Sequence, residues 1–144
     1  MAATLASFVS NEGTWDNEWD KPQEKIQSVL ALINSERDPA KRFELRRELA
    51  QRYVIANASE AALSTLEDLQ KEVGKTVPAA YSEILKADMA FAYFRMGEIQ
   101  NCTWNHNSDS CLFPIQGEGV HKQQMGASEA ARIYGELLAD PQTN

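Results

Sequence analysis

The residues best suited to chemistry lie between positions 102 and 121. Cys102, His106, Cys111 and His121 form the pattern C-x3-H-x4-C-x9-H. Thiolates and neutral imidazoles are ligands that zinc and related metals prefer, although this spacing matches no standard zinc finger. Two cysteines this close also allow a disulfide, which would stabilise the segment by about 2 to 3 kcal/mol. The pattern therefore predicts either a disulfide from Cys102 to Cys111, with both histidines hydrogen-bonded into the loop, or a metal site.

Other chemistries fit the same segment less well. Covalent haem attachment through C-x-x-C-H is excluded, because the cysteines lie nine positions apart. A disulfide would still leave His106 and His121 able to bind copper, iron or haem iron as neutral imidazoles, with Asp109 or Glu118 nearby. A cysteine nucleophile needs a base and an orienting group in a defined pocket, and nothing in the sequence specifies one. We therefore predict that the protein is not an enzyme.

The segment from 101 to 127 also carries large apolar side chains and few charges. Its only formal charges are Asp109, Glu118 and Lys122. This composition is typical of the centre of a protein interface. Alternatively, the apolar residues fold back onto the rest of the domain and close its end. The residues predicted to form the interface are Trp104, Leu112, Phe113 and Ile115.

Helical patterns surround this loop and must position it. Apolar or small residues recur with the spacing of one helix face in five segments. We expect an all-α fold of about five helices, with the Cys/His/Gly loop inserted before the last one. The residues of the five stripes are Ile26, Val29, Leu30 and Ile33; Leu45, Leu49 and Tyr53; Ala62, Leu66, Leu69 and Val73; Leu85, Met89, Ala92 and Met96; and Ala131, Tyr134, Leu137 and Leu138.

Capping and breaking residues place the helix ends. Proline fits the first turn of a helix, serine and aspartate accept hydrogen bonds from its first N–H groups, and glycine or asparagine suits the left-handed residue that follows it. These signals predict helix starts at Pro22, Asp38-Pro39, Ser59, Pro78 and Ser128, and helix ends near Asn57, Gly74, Gly97 and Asp140-Pro141.

Length and charge limit the organisation and the partners. The chain has 144 residues and a net charge of −7, which suits one domain and opposes binding to nucleic acid. No apolar run approaches the roughly 18 to 20 residues of a membrane-spanning helix. Residues 1–21 form an acidic and aromatic arm, whose Trp15 and Trp19 pack on the first helices or dock on a neighbouring subunit. Residues 22–144 form the helical domain.

An internal repeat connects two of the helix pairs. Leu49-Ala50-x-x-Tyr53 matches Met89-Ala90-x-x-Tyr93, and Ser59-Glu60-Ala61-Ala62 matches Ser128-Glu129-Ala130-Ala131. The pattern resembles the tetratricopeptide family, in which a tyrosine near the end of the first helix precedes a second helix that opens with small residues. One unit would span residues 39–74, and a second would combine residues 78–97 and 128–141 across the loop.

The loop itself carries a second resemblance. Asn101-Cys102, His106-Asn107, Ser110-Cys111-Leu112-Phe113-Pro114-Ile115 and Gly117-x-Gly119-x-His121 are similar to a loop of exported bacterial proteins that carry tetratricopeptide segments, often ahead of FG-GAP/VCBS and UnbV-type domains. The resemblance implies a periplasmic or extracellular location, with any signal peptide already removed. Disulfides persist in such compartments, so we expect Cys102 and Cys111 to be oxidised to each other.

Two functions follow as expectations. Helix pairs stack into modules with free end faces, and about two units fall short of the roughly three needed for an independent stack. We therefore expect a non-enzymatic protein-binding or assembly module, with another subunit of the same or a different kind as the missing cap, and no resident cofactor. The alternative is a carrier that holds a transition metal or haem at His106 and His121.

Overall fold

The computed structural model of the protein describes residues 21–110 and 113–139. This part of the chain contains no β-strand and five α-helices: α1 (Pro22–Ser35), α2 (Pro39–Ile55), α3 (Ser59–Gln70), α4 (Tyr81–Glu98) and α5 (Met125–Ala139). A π-helical turn, Ile99–Thr103, extends α4, and a 3-10 turn, Gly117–Gly119, lies between α4 and α5. The predicted all-α class with about five helices is confirmed. The acidic arm up to residue 20, Cys111, Leu112 and residues 140–144 lie outside the described residues.

The helices pack mainly against their neighbours in the chain, and α2 also touches α4. Two apolar clusters result. The larger one joins α2, α3 and α4 around Phe43, Leu66, Leu69 and Leu85, which are the largest fully buried side chains of the described residues. The smaller one joins α1 to α2 through Ile26, Val29, Ile33 and Leu49. Seven of these eight residues belong to the predicted stripes. The exception is Phe43, on α2.

Both ends of α2 form as the sequence predicts. Asp38 is the N-cap residue, and its carboxylate accepts hydrogen bonds from the N–H groups of Ala40 and Lys41. At the other end, Asn57 adopts a left-handed conformation with φ of 59°. The N–H of Ala58 then donates to the carbonyl of Tyr53 at 2.8 Å, as in the Schellman motif. Three residues, 56–58, therefore suffice to turn the chain from α2 into α3.

Two predicted helix starts are wrong, and a third lacks its predicted cap. α3 begins at Ser59 as predicted, but Ala58 occupies the N-cap position, so Ser59 does not cap the helix. α4 begins at Tyr81 and not at Pro78, which instead accepts a turn hydrogen bond from the Tyr81 N–H. α5 begins at Met125, so Ser128 lies inside its first turn. The segment between the flanking helices consequently runs from 104 to 124 and is shorter than the predicted loop of 101–127.

α4 ends at Glu98, next to the predicted end at Gly97, but Gly97 itself is a packing residue inside the helix. α4 continues through Gly97, which is buried against the start of α5. A Cβ atom on Gly126 would lie 2.7 Å from both the Gly97 nitrogen and the Tyr93 carbonyl oxygen. The backbones of α4 and α5 therefore approach too closely at Gly126 for any side chain, whereas a Cβ atom on Gly97 would make a tight contact, 3.2 Å from the Ala127 nitrogen.

Candidate functional site

The segment between α4 and α5 is anchored by one buried side chain, Asn101. Its side-chain amide donates hydrogen bonds to the carbonyl oxygens of Gly97 at 2.9 Å and Gln123 at 2.7 Å. Its side-chain oxygen accepts the N–H of Gln123 at 3.0 Å. Asn101 is 6% exposed, so these bonds are shielded from water. The two ends of the segment, which we call the loop (residues 104–124), are thereby fixed to each other.

The middle of the loop is folded on itself by polar contacts. The Asp109 N–H donates to the Asn107 side-chain oxygen at 2.9 Å, and the Asn107 side-chain amide donates to the Glu118 carbonyl at 3.0 Å. Gly119 is buried against Asp109, where an added Cβ would lie 2.3 Å from the Asp109 carbonyl oxygen. Lys122 lowers the pKa of the exposed Glu118 carboxyl through a side-chain hydrogen bond. The acids near the histidines thus serve the structure of the loop.

Two of the four predicted metal or disulfide residues come together. The Cys102 sulfur lies 3.6 Å from Nε2 of His121. His106 is exposed on the loop. Over residues 21–110 and 113–139, no group of three or more His, Cys, Asp or Glu residues is placed to hold a metal ion. Cys111 lies outside the described residues, so the disulfide and a metal site that includes Cys111 both stay predictions.

The predicted interface residues that the structure describes are exposed. Phe113 is 89% exposed, Trp104 is 72% exposed and Ile115 is 45% exposed; Leu112 lies outside the described residues. Val120, which the sequence did not single out, is 49% exposed on the same loop. The alternative in which the loop packs its large apolar groups onto the helices therefore does not hold for Trp104 or Phe113. We call Trp104, Phe113, Ile115 and Val120 the loop surface.

A cavity of about 270 Å³ lies where the loop meets the helices. Its base is formed by the first turn of α3, including Ser59. Met96 and Ile99 form an apolar wall, and Trp104 of the loop surface is also part of its lining. We call it the α3 cavity. The sequence does not reveal this cavity, because Ser59 and Trp104 are far apart in the chain and no local pattern relates them.

A second concavity follows the groove between α2 and α4. It measures about 320 Å³ and is lined mainly by apolar groups, including Val54, Leu66 and the half-exposed Phe91. At its edge, Nε of Arg47 donates to the Asp88 carboxylate at 2.5 Å. That hydrogen bond raises the pKa of the Arg47 guanidinium above its ordinary value. The groove is the other surface on which a binding partner could lie.

Comparison with known proteins adds no relative. The sequence matches no family model, no curated protein and no solved structure. The resemblances to the tetratricopeptide family and to exported bacterial proteins therefore stay expectations from the sequence. Among the helices that the structure describes, none is both long and apolar enough to cross a membrane.

Proposed function

We propose that the protein is a non-enzymatic protein-binding or assembly module that contacts its partner through the loop surface. The observation that carries the proposal is the exposure of Phe113 and Trp104, at 89% and 72%, on a loop whose base is held by Asn101. Aromatic side chains supply much of the binding energy of protein interfaces. A loop that is already ordered loses less conformational entropy when it binds.

The last helix also supports an assembly role. α5 packs against α4, and Leu138 and Tyr134 on α5 are 74% and 39% exposed. In a stack of helix pairs, a helix that is not a polar cap exposes apolar groups where the next unit would pack. We propose that the helix pairs are tetratricopeptide-like, that the module acts in the periplasm or outside the cell, and that another subunit covers this end.

The experiment compares alanine variants of the loop surface with a matched control. Trp104→Ala and Phe113→Ala should weaken association, measured by light scattering for self-association and by photo-crosslinking from position 113 for other partners. Leu32→Ala, which removes a 52% exposed apolar group on α1, should leave association unchanged. Thermal unfolding should be nearly the same for all three, because exposed side chains contribute little to stability. Loss of stability with intact association would contradict the proposal and move the binding site to the groove between α2 and α4.

A second candidate function is a metal carrier, and one distance favours it. Two ligands of a tetrahedral zinc ion, one sulfur and one nitrogen, lie about 3.6 Å apart. Cys102 and His121 already have that separation, 3.6 Å. Cys111 and His106 would supply the remaining ligands, and the same four residues would suit another soft or borderline metal, while haem iron would use the two histidines. Metal analysis of the native protein by mass spectrometry and optical spectroscopy tests this candidate.

A further inference from the structure

The two ends of the helical array differ in polarity. Among the described helices, α1 packs only against α2 and α5 packs only against α4, so α1 and α5 form the two ends. The exposed residues of α1 are polar or small, apart from Leu32. A polar outer face is typical of a helix that closes a stack. The α1 end therefore needs no further unit to cover it.

α5, at the other end, is apolar on two neighbouring faces, and α4 covers one of them. The covered face contains Gly126, Ala130 and Ile133, which are buried. The second face consists of exposed residues with the helical spacing i, i+4, i+7 and i+11. We call it the α5 face, and its residues are Ala127, Ala131, Tyr134 and Leu138. The described part of the chain thus leaves an apolar helix face uncovered at this end.

The order of side-chain sizes along the α5 face is self-complementary. Its first two residues are alanine, and its last two, Tyr134 and Leu138, are large. In an antiparallel pair of α5 helices, with a two-fold axis midway between positions 127 and 138, residue 127 faces 138 of the other copy and residue 131 faces 134. Each large side chain then lies over an alanine, so the two helices can pack closely. A parallel pair would place leucine against leucine.

The polar groups near the two ends favour the same pairing. Beside the α5 face, Arg132 hydrogen-bonds to both Glu129 and Glu136, so the negative charges that two copies bring together are partly neutralised. A head-to-tail contact would instead press the polar α1 end onto the α5 face and remove water from its polar groups without replacing their hydrogen bonds. The α5 face therefore matches a copy of itself better than it matches the α1 end.

The loop lies next to this contact. A stable interface typically uses about 20 to 30 residues on each side, more than the α5 face supplies. The loop immediately precedes α5, so in an antiparallel pair the loop of one copy lies beside the Leu138 end of the other. We propose that the partner of the loop surface is a second copy of this chain, joined by an antiparallel two-fold contact of the α5 faces. This inference rests on the proposed function, because it names the partner of the same surface.

The first test measures self-association of the full chain by analytical ultracentrifugation over a series of concentrations. We expect a monomer–dimer equilibrium in the micromolar range. Ala131→Glu should abolish the dimer, because it places an unpaired charge in the contact on each copy. Ala31→Glu makes the same substitution at an exposed position of α1 and should leave the dimer unchanged. A chain that stays monomeric into the millimolar range, or a dimer that survives Ala131→Glu, would overturn the proposal.

An exchange of side-chain sizes tests the antiparallel register. Leu138→Ala and Ala127→Leu should each weaken the dimer about tenfold, because the first removes a large group and the second places leucine opposite leucine. The combined variant again places one leucine opposite one alanine and should dimerise more tightly than either single variant. Thermal unfolding of the dilute monomers should be nearly the same for all, because both positions are exposed. Additive weakening in the combined variant would contradict this register.

The outcomes separate this inference from the proposed function. If Ala131→Glu dissociates the dimer while Trp104→Ala and Phe113→Ala leave it intact, the α5 contact holds and the loop surface is rejected. If the two loop variants dissociate the dimer and Ala131→Glu does not, the loop surface holds and the α5 contact is rejected. A protein that stays monomeric but crosslinks from position 113 to a different chain would reject the second copy alone.

Discussion

Asn101 and Gln123 exchange two hydrogen bonds across 22 positions of sequence, at 2.7 and 3.0 Å. The Asn101 side chain donates one hydrogen bond to the Gln123 backbone and accepts one from it, as two paired residues of antiparallel β-strands do. Here, however, the two residues flank a loop in an all-α region. The pair, together with the bond from Asn101 to Gly97, fixes where the loop leaves α4 and where it enters α5. Ile99 and Trp104, which line the α3 cavity, lie two and three residues from this anchor.

Replacing Asn101 should loosen the loop without unfolding the helices. Asn101→Ala removes three hydrogen bonds and leaves buried backbone groups unpaired, which should reduce the free energy of unfolding by about 2 to 3 kcal/mol. Urea denaturation measures the loss, and hydrogen exchange should show the Gln123 amide losing protection first. Asn105→Ala is the control: it removes a single exposed hydrogen bond, to the Gln100 carbonyl, and should cost less than about 1 kcal/mol. Equal stability of the two variants would contradict the anchor.

The contact of α4 with α5 predicts opposite effects for two glycines of the same helix. Gly126→Ala places a methyl group 2.7 Å from two backbone atoms of α4 and should cost about 1 to 3 kcal/mol, because the helices must move apart. Gly135→Ala meets no atom within 4 Å and should stabilise α5 by about 0.5 to 1 kcal/mol, since alanine favours helix. Thermal unfolding of both variants measures these two changes in stability. A stabilised Gly126→Ala would show that the helices are farther apart.

The ion pair of Arg47 with Asp88 links α2 to α4 across the groove. Asp88→Asn should reduce stability by about 1 kcal/mol, because the pair is only partly exposed and hydrogen-bonded. Asp68→Asn, which removes the partner of exposed Lys71, should have no measurable effect. The raised pKa of Arg47 means that its contribution is complete below the ordinary arginine pKa and is lost only as the pH rises above it. Between pH 6 and about pH 9, the difference between wild type and Asp88→Asn should therefore stay constant in urea denaturation.

The two cysteines give a prediction that separates the disulfide from the metal site. We expect no free thiol when the native protein is denatured without reductant and titrated, because Cys102 and Cys111 are predicted to be oxidised to each other. Reduction should then lower the free energy of unfolding by about 2 to 3 kcal/mol. Two titratable thiols and one equivalent of bound metal would instead favour the carrier function. Cys102→Ser would remove both the predicted disulfide and the predicted four-residue metal site.

The elements that the sequence predicts well are those decided by local chemistry. The Asp38 cap and the left-handed Asn57 need only a few neighbouring residues, and both form as expected. Four of the five apolar stripes contribute to the buried core for the same reason. The fifth is wrong, because α5 buries Ala130 and Ile133 while Tyr134 and Leu138 of the predicted stripe are exposed. The composition of the loop suggests that its aromatic residues form an interface. It does not show that they are exposed, because their exposure depends on whether a helix face is available to cover them.

The elements that the sequence misses are decided by distant contacts. Ser59-Glu60-Ala61-Ala62 and Ser128-Glu129-Ala130-Ala131 are alike, yet the first begins a helix and the second lies inside one. The difference arises because α5 must start early enough to bring Gly126 against Gly97. Gly97 itself looks like a helix stop, and only the approach of α5 reveals it as a contact. The role of Asn101 likewise depends on Gln123, far along the chain.

The division of the core into two apolar clusters affects the order in which the helices unfold. α1 is held to α2 by the smaller cluster, whereas α2, α3 and α4 share the larger one. Helices that contact mainly their chain neighbours form without closing long loops, so folding should be fast and can start within any adjacent pair. The same arrangement lets α1 detach while the remainder stays intact. In the native state, α1 should exchange its amide hydrogens on a shorter timescale than α3, as an independent unit of unfolding.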